Sequence, residues 1–136
     1  MALLLLLEIA RPKEEIMPNI HIDNVGDMAV VECEGRFVRS EDAFKLRDAV
    51  TSRSNARTVI VDLTETYAIG GGAIGMLVFL QRWAQDHDIR FKLFNPSRAV
   101  REKLEHTNSM SEFKIASLDE MMALLGSADP RYALAS

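Results

Sequence analysis

Apolar residues recur along this chain with two different periods. Short runs rich in valine and isoleucine, which are typical of β-strands, alternate with longer stretches in which apolar residues recur every three or four positions, which is typical of amphipathic helices. The predicted strands are Ile20–Asp23, Met28–Glu34, Thr58–Leu63, Arg90–Phe94 and Phe113–Ile115. The order β-β-α-β-α-β-α-β-α predicts an α/β fold, a small mixed β-sheet with helices packed on it.

Three of the four predicted helices begin at a serine. Ser40, Ser97 and Ser117 each precede a helical pattern, and a serine side chain there can accept a hydrogen bond from the free N–H groups of the first turn. Ser117 and Glu120 also have capping-box spacing. The remaining helix has no such residue, because its apolar stripe begins at Ile74, directly after a run of three glycines.

The length of 136 residues corresponds to one domain, which we predict to span residues 17–126, with a flexible tail at residues 127–136. The net charge of −4 is spread along the chain without a basic block. Nucleic acid and anionic membranes are therefore not expected as partners, since both attract clustered lysine and arginine. Cys33 is the only cysteine, so no intrachain disulfide is predicted, and a cytoplasmic location fits best.

The N-terminal segment is predicted to lie outside this domain. Its leucine run, Leu3–Leu7, is too short to span a membrane and has no preceding basic region of the kind that signal peptides carry. The codons that Lys13-Glu14-Glu15 would require form a purine-rich ribosome-binding sequence just before Met17. Either the start codon is assigned too early and Met17 is the first residue of the protein, or residues 1–16 form a short flexible arm.

The glycine run raises the question of a cofactor. Gly70, Gly72 and Gly75 fit the spacing G-x-G-x-x-G of dinucleotide-binding proteins. In that motif the glycines directly follow a strand, and the next strand ends in an acidic residue. Here seven residues separate Asp62 from the first glycine, and the next strand ends in Phe94-Asn95. No cofactor is therefore predicted. No His or Cys pair has zinc-site spacing, and no nucleophile or acid–base motif indicates an enzyme.

The region around the glycines resembles a known family. The stretch Val59–Gly75, VIVDLTETYAIGGGAIG, matches without a gap an apolar strand ending Asp-Leu-Ser, a short connection, and Ile-Asp-Ser-Ser-Gly-Leu-Gly. This is the pattern of the STAS domain, the fold of bacterial anti-sigma factor antagonists. Gly35 and the segment Leu93–Leu104 also match, and the resemblance runs from Asn19 to Leu125. It implies a non-enzymatic protein-interaction module.

The departure from the family pattern concerns the phosphorylation site. Where the family has Asp-Ser-Ser, this chain has Gly70-Gly71-Gly72, and the next glycine of the pattern is Ala73. In matching antagonists the first serine accepts phosphate from a kinase that is also the anti-sigma factor, and the added charge breaks the contact. Gly71 occupies this phospho-acceptor position and has no hydroxyl. The resemblance thus implies binding to a kinase-like anti-sigma factor without the usual serine phosphorylation switch.

The resemblance also implies where a partner would bind. The expected surface consists of the turn, the face of the following helix and two neighbouring loops: Gly70, Gly71, Gly72, Ala73, Ile74, Met76, Arg36 and Ser97. Ile74 also fits a core position. Three alternatives stay open: a tight turn that merely tolerates glycine, a constitutive STAS subunit of a larger assembly such as a lipid transporter or sensory complex, and a small-anion-binding module that uses the helix start.

Overall fold

The computed structural model describes residues 17–129 and Arg131. The predicted early start or arm at residues 1–16 lies outside the described residues, as does most of the predicted tail. The strands are β1 (Asn19–Val25), β2 (Met28–Phe37), β3 (Thr58–Asp62), β4 (Thr66–Ile69), β5 (Arg90–Phe94) and β6 (Ile115–Ala116). The helices are α1 (Ser40–Thr51), α2 (Gly71–Asp86), α3 (Arg98–His106) and α4 (Leu118–Ala128), with a short 3₁₀ turn at Met110–Glu112.

The six strands form one mixed sheet. Five of them lie in the order β1-β2-β3-β5-β6, and β4 pairs with β2 off this path. Only β1 and β2 are antiparallel among these pairs; the others are parallel. Val59, Ile60 and Val61 of the central strand β3 are completely buried, as expected for a continuous apolar run covered on both faces. The predicted α/β fold is confirmed.

The two faces of the sheet are covered by different helices. Ala29 and Val31 of β2 pack in the main core with residues of α1, α2 and α3. Met28 and Val30 alternate with them and form a smaller cluster on the opposite face, which Met121 of α4 covers. The alternation along β2 therefore distributes its side chains between two separate apolar layers.

The strand β4 was not predicted from the sequence. The observed order is β-β-α-β-β-α-β-α-β-α, because Thr66–Ile69 pairs in parallel with the end of β2. This pairing follows an irregularity at Gly35, whose φ is +97°. The Gly35 N–H donates to the Glu65 carbonyl at 3.0 Å, and the Thr66 hydroxyl donates to the Cys33 carbonyl at 2.8 Å. The four residues of β4 thus form a strand because the end of β2 pairs with them.

The first helix is capped differently from the prediction. Its N-cap residue is Arg39 rather than Ser40. The carboxylate of Asp42 in the first turn accepts a hydrogen bond from the Arg39 backbone N–H at 2.9 Å. A carboxylate at this end of a helix is also favoured by the helix dipole. The acidic residue, not the serine, therefore defines where α1 begins.

The two later serine caps are confirmed. The Ser97 hydroxyl accepts a hydrogen bond from the Val100 N–H at 3.3 Å, and the Ser117 hydroxyl accepts one from the Glu120 N–H at 3.1 Å. The helix α4 continues to Ala128, beyond the end that the sequence predicted. Its last turn packs against the hairpin between β1 and β2.

The hairpin turn contains a glycine that no other residue could replace without strain. Gly26 has a φ of +58°, in the left-handed region. A Cβ added to it would clash with the Ala128 carbonyl oxygen. Gly26 therefore allows both the turn and the close packing of α4.

We expect Gly26→Ala and Gly26→Asn both to lower the melting temperature, measured by circular dichroism. Alanine adds the backbone strain and the clash, whereas asparagine tolerates positive φ and keeps the clash. Each should cost more than about 1 kcal/mol of unfolding free energy. A neutral Gly26→Asn variant would contradict the close packing against Ala128.

Candidate functional site at the start of helix α2

The glycine run forms the first turn of α2 rather than a loop before it. Gly70 is the N-cap residue, with extended backbone (φ −95°, ψ 170°), and the helix begins at Gly71, earlier than the predicted start at Ile74. The Gly70 N–H donates to the Phe37 carbonyl at 2.9 Å, and its carbonyl accepts from the Ile74 N–H at 3.1 Å. Gly70 thus joins the strand pairing of β4 to the helix.

Three glycines and one phenylalanine share the outer face of this helix. Gly71, Gly72 and Gly75 are exposed, and Phe79 follows one turn later with half of its surface exposed. Residues three and four apart lie next to each other on a helix. We refer to Gly71, Gly72, Gly75 and Phe79 as the glycine face.

Nothing in the described chain requires glycine at positions 71, 72 and 75. None of the three has a positive φ, and a Cβ added to any of them would meet no atom within 4 Å beyond its own helix and neighbours. Glycine inside a helix costs up to about 1 kcal/mol relative to alanine. These residues therefore destabilise α2 without a compensating contact in the described chain. Gly70 differs, because its Cβ would lie 3.4 Å from Val38.

The N-terminus of α2 has no side-chain cap. Among the described residues, no side chain caps this helix start, and the first turn itself contains no acidic residue. The segment from Gly70 to Ile74 also contains no hydroxyl. The turn therefore offers open backbone N–H groups and a smooth surface, and it cannot accept a phosphoryl group on a side chain.

Two residues of the expected partner surface lie in the core instead. Ala73 and Ile74 are only 2% and 3% exposed and belong to the main core cluster. Met76 is half-buried and packs against the same cluster. The reason is the helical period, since positions 73, 74 and 77 share the face that α2 turns towards the sheet. The expectation that Ala73 presents its side chain on the helix surface is therefore corrected, and Ile74 takes the core position that was its alternative.

Ser97 has an internal structural role in this fold. Its hydroxyl donates to the Thr66 carbonyl at 2.5 Å while it accepts from Val100. Its backbone N–H donates to the Leu63 carbonyl at 3.1 Å. These contacts join the start of α3 to β4 and leave no free hydroxyl directed at a partner. Arg36, the other loop candidate, is a half-buried residue of β2.

Of the two threonines near the turn, one is exposed. Thr66 is completely buried, whereas Thr64 is exposed on the connection between β3 and β4. The Thr64 hydroxyl donates to the Asp62 carboxylate at 2.6 Å and accepts from the Asn95 side-chain amide at 3.1 Å. A phosphate at Thr64 would lie beside the Asp62 carboxylate and be repelled by it.

The remaining candidate chemistry near the site is weak. Burial raises the pKa of the Cys33 thiol to about 12, so this cysteine is held as the unreactive thiol. A hydrogen bond to Glu65 raises the pKa of the exposed Tyr67 hydroxyl.

Within residues 17–129 and Arg131, no group of three or more His, Cys, Asp or Glu side chains could hold a metal ion. No helix in the described part of the chain is long and apolar enough to cross a membrane.

The sequence interpretation missed two residues of the candidate surface, Phe79 and Val38. Phe79 lies on the same face as Gly72 and Gly75, opposite the buried positions of α2, and the helical period could have identified it. Val38 is 47% exposed and lies against Gly70. Its position depends on the pairing of β4 with β2, for which the sequence holds no local signal.

Comparison with known proteins agrees with this geometry. The family model of the STAS domain matches residues 19–120. This chain belongs to the STAS domain family. The predicted resemblance is thereby confirmed, and STAS domains are in general non-enzymatic interaction modules. No protein of curated function matches the chain significantly.

Solved structures share the fold at low sequence identity. An anti-sigma factor antagonist from Mycobacterium paratuberculosis is 15% identical with a TM-score of 0.68, covering 80% of this chain and 94% of its own. The phosphorylated Bacillus cell fate determinant SpoIIAA is 14% identical with a TM-score of 0.61, covering 79% and 99%. SLC26A9 is 11% identical with a TM-score of 0.60, and the match covers 93% of this chain but only 26% of the SLC26A9 chain.

We expect Gly75→Ala to raise the unfolding free energy by about 1 kcal/mol, because a Cβ at this exposed helical position meets no atom outside its own helix and neighbours. Denaturant unfolding monitored by circular dichroism measures the change. A lower midpoint than that of the wild-type protein would contradict the open space around Gly75.

Proposed function

We propose that this protein is a non-enzymatic interaction module of the anti-sigma factor antagonist type. It binds a kinase-like anti-sigma factor through the glycine face and regulates transcription in the cytoplasm without a serine phosphorylation switch. The observation that carries this proposal is the exposed run of Gly71, Gly72 and Gly75. These residues cost stability, and the described chain offers no packing reason for them.

A partner that packs closely on the glycine face would explain why these positions are glycine. With no side chain at three adjacent positions, the backbone of α2 lies open, so partner atoms can pack directly on it. Phe79 and Val38 flank this strip with large exposed apolar areas. Interfaces derive most of their energy from a few central residues, and aromatic side chains are frequent among them. The glycine face therefore combines a flat centre with an apolar anchor at its edge.

The absence of a switch follows from the same residues. SpoIIAA has been solved in both a phosphorylated and an unphosphorylated form. In this chain Gly71 stands at the corresponding acceptor position, as the family pattern aligns it, and the adjacent positions also lack hydroxyls. A phosphate group, with about 1.5–2 negative charges, cannot be placed there. Phosphorylation then does not regulate binding to the partner, and the amount of this protein in the cell determines how much partner is bound.

We expect incubation with the cognate kinase and ATP to place no phosphate between Gly70 and Ile74, and partner binding to be insensitive to ATP turnover. The double variant Gly70→Asp with Gly71→Ser should become phosphorylated where the kinase recognises the remaining surface. Phosphopeptide mass spectrometry maps the sites. Wild-type protein that gains phosphate at Thr64, Thr66 or Ser97 and releases its partner would end the unswitched interpretation.

We expect Gly71→Arg to abolish capture of the partner while leaving the melting temperature near that of the wild type, because the new side chain projects into solvent from an open position. The matched control is Ala123→Arg, which adds the same side chain at an exposed position of α4 on the other face of the sheet. Pull-down from the native host compares the two. Equal capture by both variants would place the interface elsewhere.

A second candidate function is a constitutive subunit of a larger assembly, such as a lipid transporter or a sensory complex. The similarity to part of SLC26A9 favours it, because that match covers only 26% of a much longer chain. The two candidates predict different partners in the same pull-down. An ATP-binding kinase-like protein supports the antagonist, whereas a transporter component supports the assembly subunit.

A further inference from the structure

A cavity of about 400 Å³ opens beside the start of α1. Three cationic side chains line it: Arg36 from β2, Arg39 from the N-cap of α1, and Lys45 from the second turn of this helix. Glu41 and Asp42 are the two carboxylates in the same lining. The cavity is distinct from the start of α2, although Val38 borders both.

The two carboxylates are already engaged by Arg39. The Glu41 carboxylate lies 3.6 Å from the Arg39 guanidinium, and the buried Asp42 accepts the Arg39 backbone N–H. The side chains of Arg36 and Lys45, in contrast, form no hydrogen bond or ion pair with any residue of the described chain. A half-buried arginine without a partner in the described chain is unusual, because charged groups that lose water are normally paired.

We propose that this cavity binds a small organic anion that carries a phosphate or carboxylate group. The planar Arg36 guanidinium can hold such a group through two parallel hydrogen bonds, and the Lys45 ammonium adds a second positive charge. The side chains of Met17, Pro18 and Val38 form an apolar part of the wall, which suits a short hydrocarbon portion of the ligand.

The size of the cavity agrees with this class of ligand. Sites for small molecules usually occupy roughly 300–1,000 Å³ and combine apolar walls with a few polar groups. The cavity lies at the lower end of that range. A ligand with one anionic group and a ring or short chain fits better than a dinucleotide. The proposal does not depend on the proposed protein partner.

Titration of the ¹⁵N-labelled full chain at low ionic strength tests the proposal. The probes are phenyl phosphate, benzoate and inorganic phosphate. We expect saturable amide shifts at Arg36, Val38, Arg39 and Lys45, with phenyl phosphate binding more tightly than inorganic phosphate because its ring contacts the apolar wall. Comparison of phenyl phosphate with benzoate distinguishes a phosphate ligand from a carboxylate ligand.

Variants separate a specific site from general charge attraction. The double variant Arg36→Gln with Lys45→Gln should bind about tenfold more weakly or worse, since each lost charged hydrogen bond is worth about that factor. The control, Arg53→Gln with Lys114→Gln, removes the same charge elsewhere and should bind as the wild type does. If the first variant fails to fold, Lys45→Gln alone, at an exposed helix position, should still weaken binding several-fold. Shifts that do not saturate, or equal affinity in cavity and control variants, would overturn the proposal.

Discussion

The position of the candidate site depends on the pairing of β4 with the end of β2. Beyond Gly35 the second strand takes up a new parallel neighbour, and the hydrogen bond from Gly70 to Phe37 is the last contact of this ladder. Because Gly70 is also the N-cap of α2, the strand pairing determines where the helix starts. Ser97 supports the same arrangement from the other side through its bond to Thr66.

This framework explains how the turn can consist of glycine and still be well defined. Ala73, Ile74 and Leu77 anchor the buried face of α2 in the main core, so the outer face is free to vary. Each exposed glycine lowers helix stability by up to about 1 kcal/mol. Proteins generally remain only somewhat above the stability that they need. The proposed partner contact would give this repeated local cost on one face a function.

Much of this fold could be predicted from the period of apolar residues. The buried strand β3 and the serine caps at Ser97 and Ser117 follow local rules that the sequence displays directly. The strand β4 could not be predicted, because its identity comes from a neighbour that is distant in sequence. The cap at Arg39 was missed for a different, local reason: the carboxylate of Asp42 in the first turn accepts the Arg39 N–H, whereas the prediction relied on a serine at the cap position itself.

The candidate site was only partly predictable. The absence of a hydroxyl between Gly70 and Ile74 is visible in the sequence alone, but the burial of Ala73 and Ile74 required the orientation of α2 against the sheet. The open space around the glycines likewise could not be predicted, because it depends on how the rest of the folded chain is placed around α2. The cavity between Arg36 and Lys45 forms where a strand end and a helix meet, which no local motif indicates.

The central claim is that the exposed glycines are retained for close approach of a partner at the expense of stability. The most direct test is one variant, Gly71→Ala with Gly72→Ala and Gly75→Ala, measured in two ways. Denaturant unfolding gives its stability, and titration gives its affinity for the partner isolated from the native host. We predict a more stable protein that binds its partner more weakly. A more stable protein with undiminished affinity would contradict the account.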